Sequence, residues 1–288
     1  VLGFPAGGPT DVVARILGQR MGEVLGKPVV IDNKPGAAGN LAAETVAKAP
    51  ADGYTLLYNT SSITIAPWVY GKIGFDPVRD FIPVSLTAEM PLVLLVHPSL
   101  RVANTQVLLD RIKLSPNELN YGSSGSGAIE HLTSAQFLSL NAGSAIHIPY
   151  KGTALAMPDL ISGKIDVLFD SLPTGLPHVK EGRLRALGVT SAQRTSMAPG
   201  LPAIAEVLPG YESNTWFGLF GPAGVRPEIV NRVNAAALQA LADPEVKDKL
   251  LRLGIEPIGS SPMQFATMLS AESAKWKKII NERKITLD

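Results

Sequence analysis

Cysteine is absent from the 288 residues, which excludes disulfides, thiolate catalysis and sulfur-ligated metals and leaves the redox compartment open. Histidine is scarce. His97, His131, His147 and His178 show no pair at metal-ligand spacing, so no metal or other cofactor is expected. The longest apolar run, Leu92 to Val96, is far too short to cross a bilayer, and no charged-then-apolar leader is present. Charge of one sign is lacking too: the net charge is +1 and Lys and Arg are scattered, which leaves no basic stripe for nucleic acid. Aromatic residues make up only 6%, few of them near the loops considered below, which disfavours a large aromatic ligand. What is present, 45% hydrophobic and 18% charged residues, describes a soluble globular protein with an ample core, and the length favours two domains. Because the chain opens at Val1 and runs straight into its first motif, a leader and part of the first strand are expected to lie upstream.

The stretch that organises the chain is Phe4-Pro5-Ala6-Gly7-Gly8-Pro9-Thr10-Asp11. Pro9 suits a first helical position with Gly8 as N-cap, Val13, Ile16, Leu17, Met21, Val24 and Leu25 recur at helical spacing, and Gly26 offers a stop. A loop feeding a helix N-terminus attracts anions, provided Asp11 does not saturate it; the plainer reading is a well-capped tight turn. Val29 to Ile31 reads as a short buried strand, Lys34 to Asn40 as a small-residue turn before an alanine-rich helix, and Tyr54 to Tyr58 as a strand ending on Asn59-Thr60-Ser61-Ser62. That rhythm predicts an α/β fold with parallel sheets, where ligands sit beyond the carboxyl ends of strands. The Asn59 to Ser62 loop either faces a ligand or caps the segment that follows. Phe75 to Phe81 reads as a structural turn closed by its aspartates.

Two apolar strands, Pro91 to His97 and Trp216 to Pro222, read as domain crossings, so residues 1–98 plus 220–288 are expected to form one domain and 99–219 an inserted second. Within the insert, Leu119 to Tyr121 runs into Gly122-Ser123-Ser124-Gly125-Ser126-Gly127 and then an amphipathic helix from Ile129 to Leu140. The anion-binding geometry thus occurs twice, once in each expected domain. Ala145 to Tyr150 and Ile165 to Phe169 are further strands, the second bringing Asp170 to the same rim.

Enzymatic motifs fail against these loops. A dinucleotide fingerprint after Gly125 and Gly127 would need glycine where Glu130 stands, Lys151-Gly152-Thr153 reverses a phosphate-loop order, and Ser126 occupies the last glycine of a serine elbow. His131 is the one histidine beside a candidate loop, with packing or capping inside its own helix as its ordinary role.

Phe4 to Asp11, Asp32 to Asn40, Asp52-Gly53-Tyr54-Thr55-Leu56, Phe75 to Phe81, Asn120 to Gly127 with His131-Leu132, and Pro149-Tyr150-Lys151-Gly152 together resemble the Bug-type, TctC-like family, the extracytoplasmic solute receptors of tripartite tricarboxylate transport systems. The resemblance spans nearly the whole chain. It implies a periplasmic binding protein of two α/β domains (type II) joined by two crossing strands, with a cleft closing over a dicarboxylate, an acidic amino acid or an aromatic acid. It also implies a membrane permease as partner, no catalysis, and export by a leader not in this chain; a monomer is expected. By the same resemblance, Phe4 and the amides around Ala6, Gly7 and Gly8, with those around Ser123, Ser124 and Ser126, should hold the carboxylate, since no arginine lies in either loop. Asn59, Thr60, Ser61 and Thr153 would line the remainder, and Trp216 would shape or roof the site. Asp170 either selects ligands with a donor at the far end or caps the turn before Thr174. Two other functions stay open: a sensor presenting its closed form to a signalling partner, and an enzyme using Asp170 with His131.

Overall fold

The computed structural model describes residues 1–70 and 73–286. It forms two compact units, Val1–Glu89 with Trp216–Lys277, and Met90–Thr215 with the chain from Lys278 on.

In the first unit, Gly8 caps α1 (Pro9–Leu25), Pro9 occupies its first turn, and Gly26 closes it in the left-handed conformation at φ 67°. Its stripe of Val13, Ala14, Leu17 and Met21 is buried. Then follow α2 (Asn40–Ala47), β1 (Leu57–Thr60), α3 (Ser62–Val69) and the start of β2 (Phe81–Val96). Leu2 lies parallel to Asn33 on one side and to Tyr58 on the other. The bonds are Leu2 N–H to Asp32 O (2.8 Å), Lys34 N–H to Leu2 O (2.8 Å) and Tyr58 N–H to Val1 O (2.9 Å). The segment that comes first in the chain therefore sits in the middle.

The second unit repeats that order. After α4 (Thr105–Leu114), the central β3 (Asn120–Ser123) pairs parallel with β4 (Ile146–Pro149) on one side and β5 (Val167–Ser171) on the other. The crossovers are α5 (Ile129–Leu140) and α6 (Thr153–Ile161), and α7 (Leu172–Lys180) and β6 (Arg185–Val189) follow. The far half of β2 runs antiparallel to β5 and β6. Its unbroken apolar run is explained by burial on both faces: Leu92, Leu94 and Val96 pack toward Leu108, Ile112 and Phe137, while Val93 and Leu95 pack toward Ala156, Leu160 and Leu172.

The chain re-enters the first unit along β7 (Asn214–Pro222), antiparallel to β1, and continues through α8 (Pro227–Ala242), α9 (Pro244–Arg252), β8 (Glu256–Pro257) and α10 (Pro262–Arg283). Trp216, Phe220 and Phe265 fill the core with Leu57, Ile63 and Phe81. Space there is tight: a Cβ on Gly218 would stand 2.3 Å from the Phe265 ring.

Three sequence expectations change. The sheet is mixed rather than parallel, because β2 and β7 run against their neighbours. Val29 to Ile31 is no buried strand: Val29 and Val30 are exposed, and pairing with Leu2 moves on to Asp32 and Lys34. The crossing strand begins at Phe81 rather than Pro91, and the contact division between units falls within it, after Glu89, and within β7, after Thr215. The aspartate turn is as expected, with Asp76 accepting from the Val78 and Arg79 amides.

Candidate functional site

In each unit, loops leave the carboxyl ends of three adjacent parallel segments, the position at which α/β folds place ligands. In the first unit these loops touch. A Cβ on Gly3 would stand 2.4 Å from Gly39 Cα, and one on Gly39, at φ 93°, would stand 3.0 Å from Asn59 Oδ1 and 3.4 Å from the Phe4 ring. Only glycine allows that approach.

Asp11 ties the first loop down. Its buried carboxylate accepts from Gly7 N–H (2.9 Å), Arg15 Nε (2.9 Å) and Asn33 Nδ2 (2.9 Å), and Asn33 Nδ2 also reaches Phe4 O (3.0 Å). The Arg15 bond, opposed by burial and helped by Gly7 and Asn33, holds the Asp11 pKa at about 2. The Gly7 amide is thus committed to the chain's own carboxylate. Ala6 is exposed, and Gly8 N–H makes only a long turn contact of 3.4 Å to Pro5 O. At the end of β1, Asn59 Oδ1 accepts from Thr60 N–H (2.8 Å) and Ser62 Oγ (3.2 Å), and Thr60 Oγ1 meets Ser62 Oγ (3.1 Å). Asn59, Thr60 and Ser61 are buried, and the Asn59 and Thr60 side chains bond within the turn that enters α3.

In the second unit, Ser123 is fully buried and its hydroxyl is engaged with Gly125 N–H (3.1 Å) and His147 Nε2 (2.6 Å). The His147 ring stacks on both Tyr121 and His131, with centroids 5.0 Å and 3.8 Å away. Gly127 N–H donates to His131 Nδ1 (3.1 Å), so this histidine braces its own loop. Ser124 Oγ donates to Glu130 Oε2 on the first turn of α5, and Ser126 is half-buried. The neighbouring loop is tied in by Tyr150 N–H to Ser123 O (3.1 Å) and Gly152 N–H to Ser124 O (3.1 Å). At the end of β5, Asp170 is buried and accepts from Ser171 N–H (2.8 Å), Thr174 Oγ1 (2.7 Å) and Thr153. Burial raises the Asp170 pKa against those bonds and the nearby His178. Burial likewise raises that of Glu130, with the Asp170 charge adding to it.

The expected residues therefore fall into two groups, Phe4 to Gly8 with Asn59 to Ser61, and Ser123 to Ser126 with Thr153 and Asp170. Trp216 joins neither. It is 2% exposed, its indole N–H donates to Glu272 and its ring packs edge-on to Phe265 at 5.6 Å, which makes it a core residue rather than a roof. Among the described residues no cluster of acids and histidines could hold a metal, and no helix is long and apolar enough to cross a membrane.

The sequence model of the tripartite tricarboxylate transporter family receptor matches residues 13–285. The chain belongs to that family.

Protein BugT of Bordetella pertussis is 33% identical to this receptor over 286 residues, covering 98% of this chain and 87% of the relative. Rpa4515 of R. palustris, solved with adipate, is 38% identical with a TM-score of 0.80, covering 99% of this receptor and 97% of that chain. MatC from Rhodopseudomonas palustris, with bound malate, is 30% identical with a TM-score of 0.73, and 96% of each chain is covered. The family is one of solute-binding receptors and not of enzymes.

Asn33, Gly39, Glu130 and His147 were not singled out from the receptor's sequence, although each shapes a loop. Gly39 lies in a run with visible small-residue character. His147 carries no local sign: it reaches His131 because the parallel register sets Tyr121 opposite His147.

Proposed function

We propose that this receptor is periplasmic, captures a small carboxylate and delivers it to a tripartite tricarboxylate-type permease. The observation that carries this reading is the twofold recurrence of one arrangement, a glycine-rich loop at the end of a central parallel segment entering a helix N-terminus, with no arginine in either loop. Relatives solved with adipate and malate agree with that chemistry. The donors on this reading are the amides around Ala6 and Gly8 in one unit and around Ser124 and Ser126 in the other. A hydrogen bond to a charged group contributes about 1.5–3 kcal/mol, so three or four suffice for micromolar affinity, about 8 kcal/mol, after ordering costs.

Asp170 favours ligands with a donor at the far end, such as amino or hydroxy acids. With its oxygens engaged by Thr153, Thr174 and Ser171, it acts on a ligand through its charge and through the hydroxyls it holds. A thermal-shift panel of mono- and dicarboxylates, acidic amino acids and aromatic acids tests the class, because a ligand that binds only the folded state at about 100 times Kd adds about 2.7 kcal/mol of stability. Failure of every acid to raise the melting temperature would reject it. A sensor would share the ligand chemistry, so co-purification with a permease rather than a membrane kinase separates the two roles.

A further inference from the structure

At the second unit's loops the Ser124, Thr153 and Thr174 hydroxyls have their protons already committed. Ser124 Oγ–H points to Glu130, and the Thr174 and Thr153 hydroxyls point to Asp170. With both acids ionised, these hydroxyls offer lone pairs only, and lone pairs repel a carboxylate. A serine that turns its proton toward an incoming anion leaves its ionised acid partner without that hydrogen bond, a cost that protonation of the acid removes.

We infer that Glu130 is a positioning residue which, acting through Ser124, makes carboxylate capture consume a proton. This rests on the carboxylate reading given above. In the ligand-free protein Ser124 donates to the ionised Glu130; on capture, a proton from solvent settles on Glu130, whose O–H then donates to Ser124 Oγ, and the Ser124 O–H turns to the ligand. The one bond formed is the O–H on Glu130, and the one broken is that of the hydronium ion or buffer acid that delivers the proton. The geometry allows this exchange because Ser124 Oγ and the Glu130 carboxyl are already hydrogen-bonded; the place of Glu130 on the first turn of α5 favours its ionised form, while its burial and the Asp170 charge favour the protonated one. The charged and titratable groups around it are Asp170 from the end of β5, whose charge opposes ionisation of Glu130, His178 on α7, which acts on Asp170, and His131, next along α5 and engaged by the Gly127 amide. Desolvation, the largest influence on Glu130, works in the same direction as Asp170.

The test uses adipate and the full chain. Calorimetry in buffers of different ionisation enthalpy should show uptake of about one proton per adipate, and Kd should rise by up to about tenfold per pH unit above the pKa of Glu130 in the free protein. Glu130→Gln, whose amide can donate to Ser124 permanently, should bind with no proton uptake and a flat pH profile, which a merely structural role would not produce. Equal uptake in the two proteins overturns the inference. Carbon-13 carboxyl NMR, with the Glu130 signal assigned by its loss in the variant, reads the same step directly: a Glu130 titration midpoint that rises when adipate saturates the protein supports the inference, and a midpoint that does not move overturns it. If no acid of the thermal-shift panel raises the melting temperature, the carboxylate reading is the one that fails; if adipate binds without proton uptake, the Glu130 inference is.

Discussion

Asp11 is the residue on which the first loop depends. It is 2% exposed and joins the loop amide of Gly7, the side chain of Asn33 and the guanidinium of Arg15. Asp11→Ala should lower stability by about 1–2 kcal/mol, mostly by removing the bonds from Gly7 N–H and Asn33 Nδ2, since Arg15 is half exposed and its pairing counts for less; chemical denaturation measures it. A carboxyl held below its ordinary pKa stabilises the fold fully above that ordinary value. Its contribution should therefore fade as pH drops from about 4 through about 2, and urea midpoints of wild type and Asp11→Ala should converge there. Asp170 has the opposite sign. Its pKa is raised, so its ionisation weighs against folding as pH rises, and Asp170→Asn should be tolerated at neutral pH while changing the order of preferred ligands. An unchanged ranking in the thermal-shift panel would leave Asp170 with the capping role alone.

At the scale of elements, close backbone contact fixes where the loops lie. Gly3→Ala would drive a Cβ to 2.4 Å from Gly39 Cα, and backbone cannot swing aside as a flexible side chain does. The expected loss is about 1–3 kcal/mol with weakened carboxylate binding, read from the melting temperature and from titration calorimetry. Most elements were legible beforehand: Gly8, Pro9 and Gly26 bound α1 where local chemistry put them, and the periodicity of Ile129 to Leu140 matches α5. Val29 to Ile31 misled because three consecutive β-branched residues suit a strand, yet the backbone partners of Leu2 are Asp32 and Lys34. Trp216 misled in a similar way. Its place in a strand matches β7, but whether a strand residue faces core or rim depends on register, and register sends this ring against Phe265.

For the whole molecule, two discontinuous units share one strand order, with the first segment of each in the centre. The family assignment rests on a match across most of the chain, and the ligand class on how such a scaffold is tuned by a few loop residues. Replacing the second loop's Gly125 by Ala tests the recurrence at this scale. Its φ of 139° strains any other residue, so the variant should remain folded while losing at least tenfold in carboxylate affinity by calorimetry. Wild-type affinity in a folded variant would remove that loop from the site.

The sequence by itself determined the α/β class, the helix caps, the two glycine-rich loops and the kinship to solute receptors, because these follow from local backbone preference and the order of motifs along the chain. Only the tertiary structure decided that Asp11 occupies Gly7, that His147 stacks on His131 and that Ser124 and Thr174 donate hydrogen bonds to Glu130 and Asp170. Such pairings depend on strand register and on which side of the sheet each crossover helix lies, and neither is encoded in the residues immediately around them.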